Sequence, residues 1–275
     1  PRQPPFVAGD AAKGWLITEY IAGAEALTGA RLSTDPVALA GVVSAFKRLQ
    51  AAPVRFGRDF DPFETIDAYL TKLSRTTRPL ALDPALLAAI PVASGWVAAE
   101  PLPLIPSPDR CPLATPPAGN IQDAILRDVA MACLSEHAVG TGASSEALDP
   151  SNDRAVHRAE LVSAHGDPTP ANMLFDGVAV TLIDWEYAAM AHPLWDFAGL
   201  AVEAALPQDV EITMLAMAGA RPSLAYVGLK FAALMVSGLW AALRDETERP
   251  DHPIRALRDE RLALATVLAD RILTV

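Results

Sequence analysis

The chain has 275 residues, of which 51% are hydrophobic and 20% charged, so global disorder is excluded. Lys plus Arg number 22 against 33 Asp plus Glu, a net charge of −11 that argues against a nucleic-acid backbone or an anionic membrane surface as partner. That balance suits a small cationic molecule, or an anionic one whose charge is carried by metal ions, and the length admits one large domain or two modest ones.

Taken in order, the N-terminus PRQPPFVAGDAAKG has no apolar signal core. GWLITEYIAG (14–23) reads as a short β-rich strand bounded by glycines. Asp35-Pro36 opens a helix through Gln50, with Val37, Leu39, Val42, Val43, Phe46 and Leu49 at helical spacing. Asp61-Pro62 opens another, whose apolar face is Phe63, Ile66, Tyr69, Leu70 and Leu73. A short apolar helix is predicted over Pro84–Ile90. PLPLIPSPDRCPLATPPAG (101–119) is too dense in proline for a long helix or a central strand.

A helix over 121–137, a loop over 140–152 and a helix over 153–161 follow. Cys111 and Cys133 show neither zinc spacing nor a redox pair, which fits packing residues in a reducing cytoplasm. Met173–Phe175 and Val178–Ile183 flank Asp176-Gly177, a hairpin signal. Helices fill the remainder, over 198–206, 212–218, 223–242 and 254–272. The stretch Leu224–Leu243 is apolar enough to be tested as a membrane span, but Lys230, Gly228 and Gly238 within it favour a buried core helix.

The chemistry-bearing residues cluster in one passage: His165-Gly166-Asp167, then Asn172, then Asp184-Trp185-Glu186. Pro168 and Pro170 make the segment between Asp167 and Asn172 a loop. The hairpin begins just after Asn172 and ends just before Asp184, so it returns both to the same end of its two strands. Carboxylate and amide oxygens then converge where the backbone is irregular, as a hard divalent cation and a phosphate chain require. A separate carboxylate nearby is placed to accept a proton from an attacking hydroxyl.

AHGDPTPANMLF followed by LIDWEYAAMAHPLWDFAGL resembles the catalytic segment of the choline/ethanolamine kinases, within the aminoglycoside phosphotransferase and protein-kinase-like group. GWLITEYIAG resembles that family's last N-lobe strand and hinge, and FDPFETIDAYL its first substrate-lobe helix. The resemblance implies an α+β, mostly α fold: a protein-kinase-like C-terminal lobe with a short catalytic β-hairpin. No glycine-rich loop or strand lysine precedes the hinge, and Lys13 lies too close to it to serve. The implied organisation is therefore a remnant of N-lobe strand and hinge over 1–23. A helical C-lobe over 24–275 follows, with a Pro-rich insertion around 80–156.

By the same resemblance, Asp167 would orient and deprotonate the substrate hydroxyl, and His165 would brace its loop. Asp196 would hydrogen-bond that loop's backbone. Asn172 and Asp184 would hold Mg²⁺ against the phosphates of ATP, and the backbone of Glu19, Tyr20 and Ile21 would face the adenine. Glu203 would meet a substrate ammonium, with Trp185, Tyr187, Trp195 and Trp240 adding aromatic faces for cation–π contact. The implied activity is ATP-dependent phosphorylation of a small cationic amino alcohol, choline or ethanolamine, by a cytoplasmic chain without nucleic-acid partner or membrane span. An aminoglycoside-type or other small-molecule kinase, a non-catalytic binding module, and a metal-dependent phosphoesterase using His165, Asp167, Asp184 and His192 are the alternatives.

Overall fold

A computed structural model describes residues 6–10, 15–76, 80–99, 161–245 and 252–275. Lys13, both cysteines, the proline-dense run 101–119 and the predicted helices 121–137 and 153–161 lie outside these residues, as does the predicted loop 140–152. The described elements fall into two compact units, the first comprising residues up to Asp59 and Val162–Ala220.

In the first unit, β1 (Phe6–Asp10) and β2 (Trp15–Thr18) pair antiparallel, with Asp10 opposite Trp15 and Phe6 opposite Thr18. The predicted strand is thus shortened at its C-terminal end, and β1, unforeseen in the sequence, is its partner. β3 (Glu25–Ala26) leads into α1 (Gly29–Thr34) and α2 (Pro36–Gln50). α2 starts where the sequence places it because the Asp35 carboxylate accepts from Val37 N and Ala38 N at 2.9 and 3.1 Å. Proline follows at the first helical position, where no amide hydrogen is needed. Val42, Ala45 and Phe46 turn a buried face toward three short strands: β4 (Val162–Ala164), β5 (Met173–Phe175) and β6 (Val180–Leu182).

β5 and β6 form the predicted hairpin, with Met173 opposite Leu182. Its turn is closed by the Asp176 carboxylate, which accepts from Val178 N and Ala179 N at 2.9 and 2.7 Å. β3 adds to the outer edge of β5, giving the order β3-β5-β6. β4 pairs separately with β7 (Ala189–Ala191), a pairing the sequence did not announce. α5 (Trp195–Glu203) and α6 (Gln208–Ala218) complete this unit. Phe197 of α5 meets Phe46 of α2 edge to face, with centroids 5.4 Å apart, which sets α5 against α2.

The second unit holds α3 (Pro62–Leu73), α4 (Pro84–Ala99), α7 (Leu224–Asp245) and α8 (Ile254–Ile272). Here α7 is central and packs on α3, α4 and α8. α7 is long and apolar enough to cross a membrane, yet 67% of its apolar window is buried, as befits a core helix. Gly228 permits the close packing: a Cβ there would lie 2.8 Å from the Ala93 carbonyl oxygen of α4. α4 runs well beyond the predicted Ile90 and carries Pro91 inside it. Proline deprives the Leu87 carbonyl of its helical partner, but Leu87 is exposed and water can take that place.

Candidate active site

Among the described residues, the site is assembled within the first unit, from the loop after β4, the open end of the β5–β6 hairpin and the helix α5. The loop His165-Gly166-Asp167 is tied down from α5. The Asp196 carboxylate accepts from His165 N at 2.7 Å and from Gly166 N at 3.0 Å, one oxygen to each amide. Asp196 lies in the first turn of its helix, where the backbone dipole favours negative charge. Burial pushes its pKa up, and the two amides oppose that push by stabilising the carboxylate. Gly166 has φ +84°, and a Cβ on it would lie 2.2 Å from the Tyr187 carbonyl oxygen. The loop 165–167 therefore rests backbone against backbone on the turn that follows Asp184.

Gly166→Ala is accordingly expected to cost about 2 kcal/mol or more, combining left-handed strain with the clash. Thermal unfolding of the variant checks this, and an unchanged midpoint would contradict it.

His165 is buried, and its Nε2 lies 2.8 Å from the Ile183 carbonyl oxygen, to which it donates. Its ring packs against Trp185 at 4.9 Å. The residue before Asp184 is thereby linked to the residue two before Asp167. The hairpin supplies a second link, because Ile183 N donates to the Asn172 carbonyl at 3.0 Å. Asp184 itself adopts φ 63° and ψ 71°, a left-handed conformation costly for a non-glycine residue. Its side chain is exposed, and a single 3₁₀ turn, Trp185–Tyr187, follows.

Asn172 Nδ2 donates to Asp167 Oδ2 at 2.9 Å and to the Asp167 carbonyl at 3.2 Å. Both partners can only accept, so the amide orientation is fixed, and Asn172 Oδ1 is the atom left to face a ligand. One oxygen of Asp167 is thus held, leaving Oδ1 for a substrate hydroxyl. Burial pushes the Asp167 pKa up, with the charges of Glu203 and Asp184 adding to the effect; His165 and the Asn172 hydrogen bond oppose it. A partly desolvated carboxylate of raised basicity is the property a proton acceptor needs.

This arrangement coincides with a family relationship. Residues 4–232 match the phosphotransferase enzyme (APH) family model. The chain belongs to that phosphotransferase family. A search of curated proteins finds no match. Among solved structures, the chain is similar to a choline/ethanolamine kinase family protein from Mesorhizobium loti, with a TM-score of 0.70 and 23% identity over 99% of this chain and 77% of that one. It is also similar to choline kinase LicA from Streptococcus pneumoniae (TM-score 0.59, 18% identity, 96% and 74% covered). A third likeness is a putative aminoglycoside phosphotransferase from Ralstonia eutropha (TM-score 0.53, 10% identity, 94% and 73% covered). These likenesses establish the kinase-like, mostly helical α+β fold.

On this phosphotransferase fold, the free Asn172 Oδ1 and the exposed Asp184 carboxylate are hard oxygen donors at one end of the hairpin. That donor set fits Mg²⁺ completed by phosphate oxygens and water. Among the described residues, no three His, Cys, Asp or Glu side chains gather as a metal cluster. Glu203 ends α5, half-buried and within electrostatic reach of Asp167. Tyr187 is 39% exposed, and its hydroxyl pKa is pushed up by burial and by the charges of Glu186, Asp167 and Asp184.

The other predicted aromatics are placed differently. Trp195 is only 4% exposed, so its ring belongs to the core and offers no open face. Trp185 is engaged internally: its ring lies between His165 and Phe56, and Nε1 donates to the Leu182 carbonyl at 3.2 Å. Trp240 belongs to α7 in the second unit, 37% exposed, with the Arg244 guanidinium 5.9 Å from its ring centroid. Glu19, Tyr20 and Ile21 leave β2 with Tyr20 86% exposed, and the Ile21 carbonyl accepts from Ala24 N in the turn before β3. β3 pairs with β5, the strand that follows Asn172.

Sequence reasoning missed Phe56, which has no periodic or motif signal, and the part played by His192. The His192 Nδ1 accepts from Leu194 N at 3.1 Å and its carbonyl accepts from Trp195 N at 2.8 Å, which fixes the entry to α5. Burial lowers its pKa to about 4. The His-Pro pair was the available signal: His252-Pro253 repeats the same bond to Ile254 N at the start of α8.

Proposed function

We propose that this phosphotransferase uses Mg²⁺ and ATP to phosphorylate the hydroxyl of a small cationic amino alcohol, choline or ethanolamine. The observation that carries the reading is the Asp167–Asn172 pair, a carboxylate of raised pKa with one oxygen held by the Asn172 amide, at the point where the hairpin returns Ile183, and with it Asp184, to Asn172. Asp167 Oδ1 would accept the hydrogen bond of the alcohol and take its proton as the oxygen attacks the terminal phosphorus. The bond from that phosphorus to the nucleotide oxygen breaks, releasing ADP. Asn172 and Asp184 would hold Mg²⁺, which neutralises charge on the phosphates when bound. The backbone of Glu19–Ile21 would receive the adenine; a LicA structure was determined in complex with AMP.

Support for a cationic substrate comes from Glu203 and the exposed face of Tyr187 around Asp167, and from the net charge of −11. A metal phosphoesterase is disfavoured because His165 is buried against Trp185 and, among the described residues, no three His, Cys, Asp or Glu side chains gather as its metal cluster would require. An aminoglycoside-type acceptor shares the catalytic set and differs only in the acceptor.

The test is an ADP-release assay across choline, ethanolamine, an aminoglycoside and an uncharged alcohol. A kcat/KM for choline or ethanolamine at least about tenfold above the others is expected, as loss of a cation–π or ionic contact implies. Preference for the aminoglycoside would transfer the assignment to that class.

A further inference from the structure

We propose that Arg58 is a positioning residue for phosphoryl transfer, clamping the turn that follows Asp184 so that its strained backbone presents the carboxylate in one orientation. The proposal rests on the phosphotransferase reading above. Arg58 lies in the segment 54–59 between α2 and α3, which has no helix and only an isolated bridge between Asp59 and Met190.

This segment reaches three parts of the site in succession. The Val54 carbonyl accepts from the Ser163 hydroxyl on β4, two residues before His165. The Phe56 ring lies 6.4 Å from Trp185, which in turn packs on His165. Arg58 Nε donates to the Ala188 carbonyl at 3.2 Å, and one terminal nitrogen donates to the Glu186 carbonyl at 3.3 Å. The Arg58 carbonyl accepts from Met190 N at 2.9 Å. One residue thus holds the stretch 186–190 by side chain and main chain together.

The turn has reason to need it. Asp184 is held at positive φ, and the short 3₁₀ turn after it is capped by the bond from Ala188 N to the Trp185 carbonyl. Strained conformations persist only where their surroundings over-determine them. A planar guanidinium fork spans two carbonyls separated by one residue, whereas a lysine ammonium reaches one at a time.

The experiment compares the full chain with Arg58→Ala and Arg58→Lys by hydrogen–deuterium exchange and by steady-state kinetics. In Arg58→Ala, amides of 185–190 are expected to exchange several-fold faster, with α7 unaffected. The kcat is expected to fall, and half-saturating Mg²⁺ to rise, each on the order of tenfold, as for groups that orient metal ligands. The KM for the alcohol should stay unchanged, and Arg58→Lys should recover only part of the loss. Unchanged exchange over 185–190 would overturn the proposal, as would faster exchange with kcat and Mg²⁺ dependence intact. A wild-type chain that transfers no phosphate would instead overturn the phosphotransferase reading, and the exchange comparison would still decide whether Arg58 holds the turn.

Discussion

Asp167→Asn is expected to reduce kcat by about 10²–10⁴-fold, the range for loss of a positioned general base, while leaving the protein folded and slightly more stable at neutral pH. The two effects share one cause. Burial raises the Asp167 pKa, and Glu203 and Asp184 add to the rise. A group whose folded pKa exceeds its unfolded value, ~3.9 for Asp, contributes stability below the unfolded pKa. That contribution is lost as pH rises through the folded pKa. Above it the ionised carboxylate is a burden on the fold, and a neutral amide of the same shape relieves it. Activity runs the other way, because only the ionised form accepts a proton. The acidic limb of the kcat profile should therefore lie above the ordinary carboxylate range. Glu203→Gln, by removing a neighbouring negative charge, should move that limb to lower pH. Thermal unfolding at pH 7 and a pH–rate profile measure both; a lower midpoint for Asp167→Asn, or an unmoved limb in Glu203→Gln, would contradict this account.

Asp196→Ala carries the largest expected loss of stability. Two opposing terms decide its sign. Burial of the charge is unfavourable, as the raised pKa records, so deletion brings some relief. Deletion also orphans the His165 and Gly166 amides, each worth roughly 1–3 kcal/mol when buried without a partner. Two orphaned donors outweigh the relief. A net cost of about 3 kcal/mol corresponds to a fall in Tm on the order of 6–12 °C for a domain of this size. Asp196→Asn restores one acceptor but turns an amide NH₂ toward a backbone N–H, so it should recover less than half of the loss. Because the same bonds orient Asp167, kcat should fall in both variants. A stable, fully active Asp196→Ala would show that the loop 165–167 holds itself.

What the sequence revealed and what it concealed follow from the range of the interactions involved. The starts of α2 and α3 were legible because each needs only an Asp-Pro pair and the next few residues. The hairpin was legible for the same reason, and with it the convergence of Asn172 and Asp184, since Ile183 bonds back to Asn172 across adjacent strands. The β4–β7 pair was not. Val162–Ala164 and Ala189–Ala191 are three residues each, too short for an alternating pattern, and they pair only because the hairpin between them folds back. The segment around Phe56 and Arg58 was equally silent, because its contacts with Trp185 and Ala188 span well over a hundred residues of sequence. α4 extends past the predicted Ile90 to Ala99 with Pro91 inside it, and the residue whose carbonyl loses its helical partner, Leu87, is exposed, so water can replace that partner at little cost. Trp195 looked available as an aromatic face; its burial, shared by every residue of α5 up to Val202, depended on packing that no local pattern reports.

The most direct test of the central claim is ³¹P NMR of the full chain with ATP, Mg²⁺ and choline or ethanolamine. The ATP resonances should convert to those of ADP with a new phosphomonoester signal in equal amount, a conversion abolished in Asp167→Asn. Inorganic phosphate in place of the phosphomonoester, or an equal rate in Asp167→Asn, would contradict it.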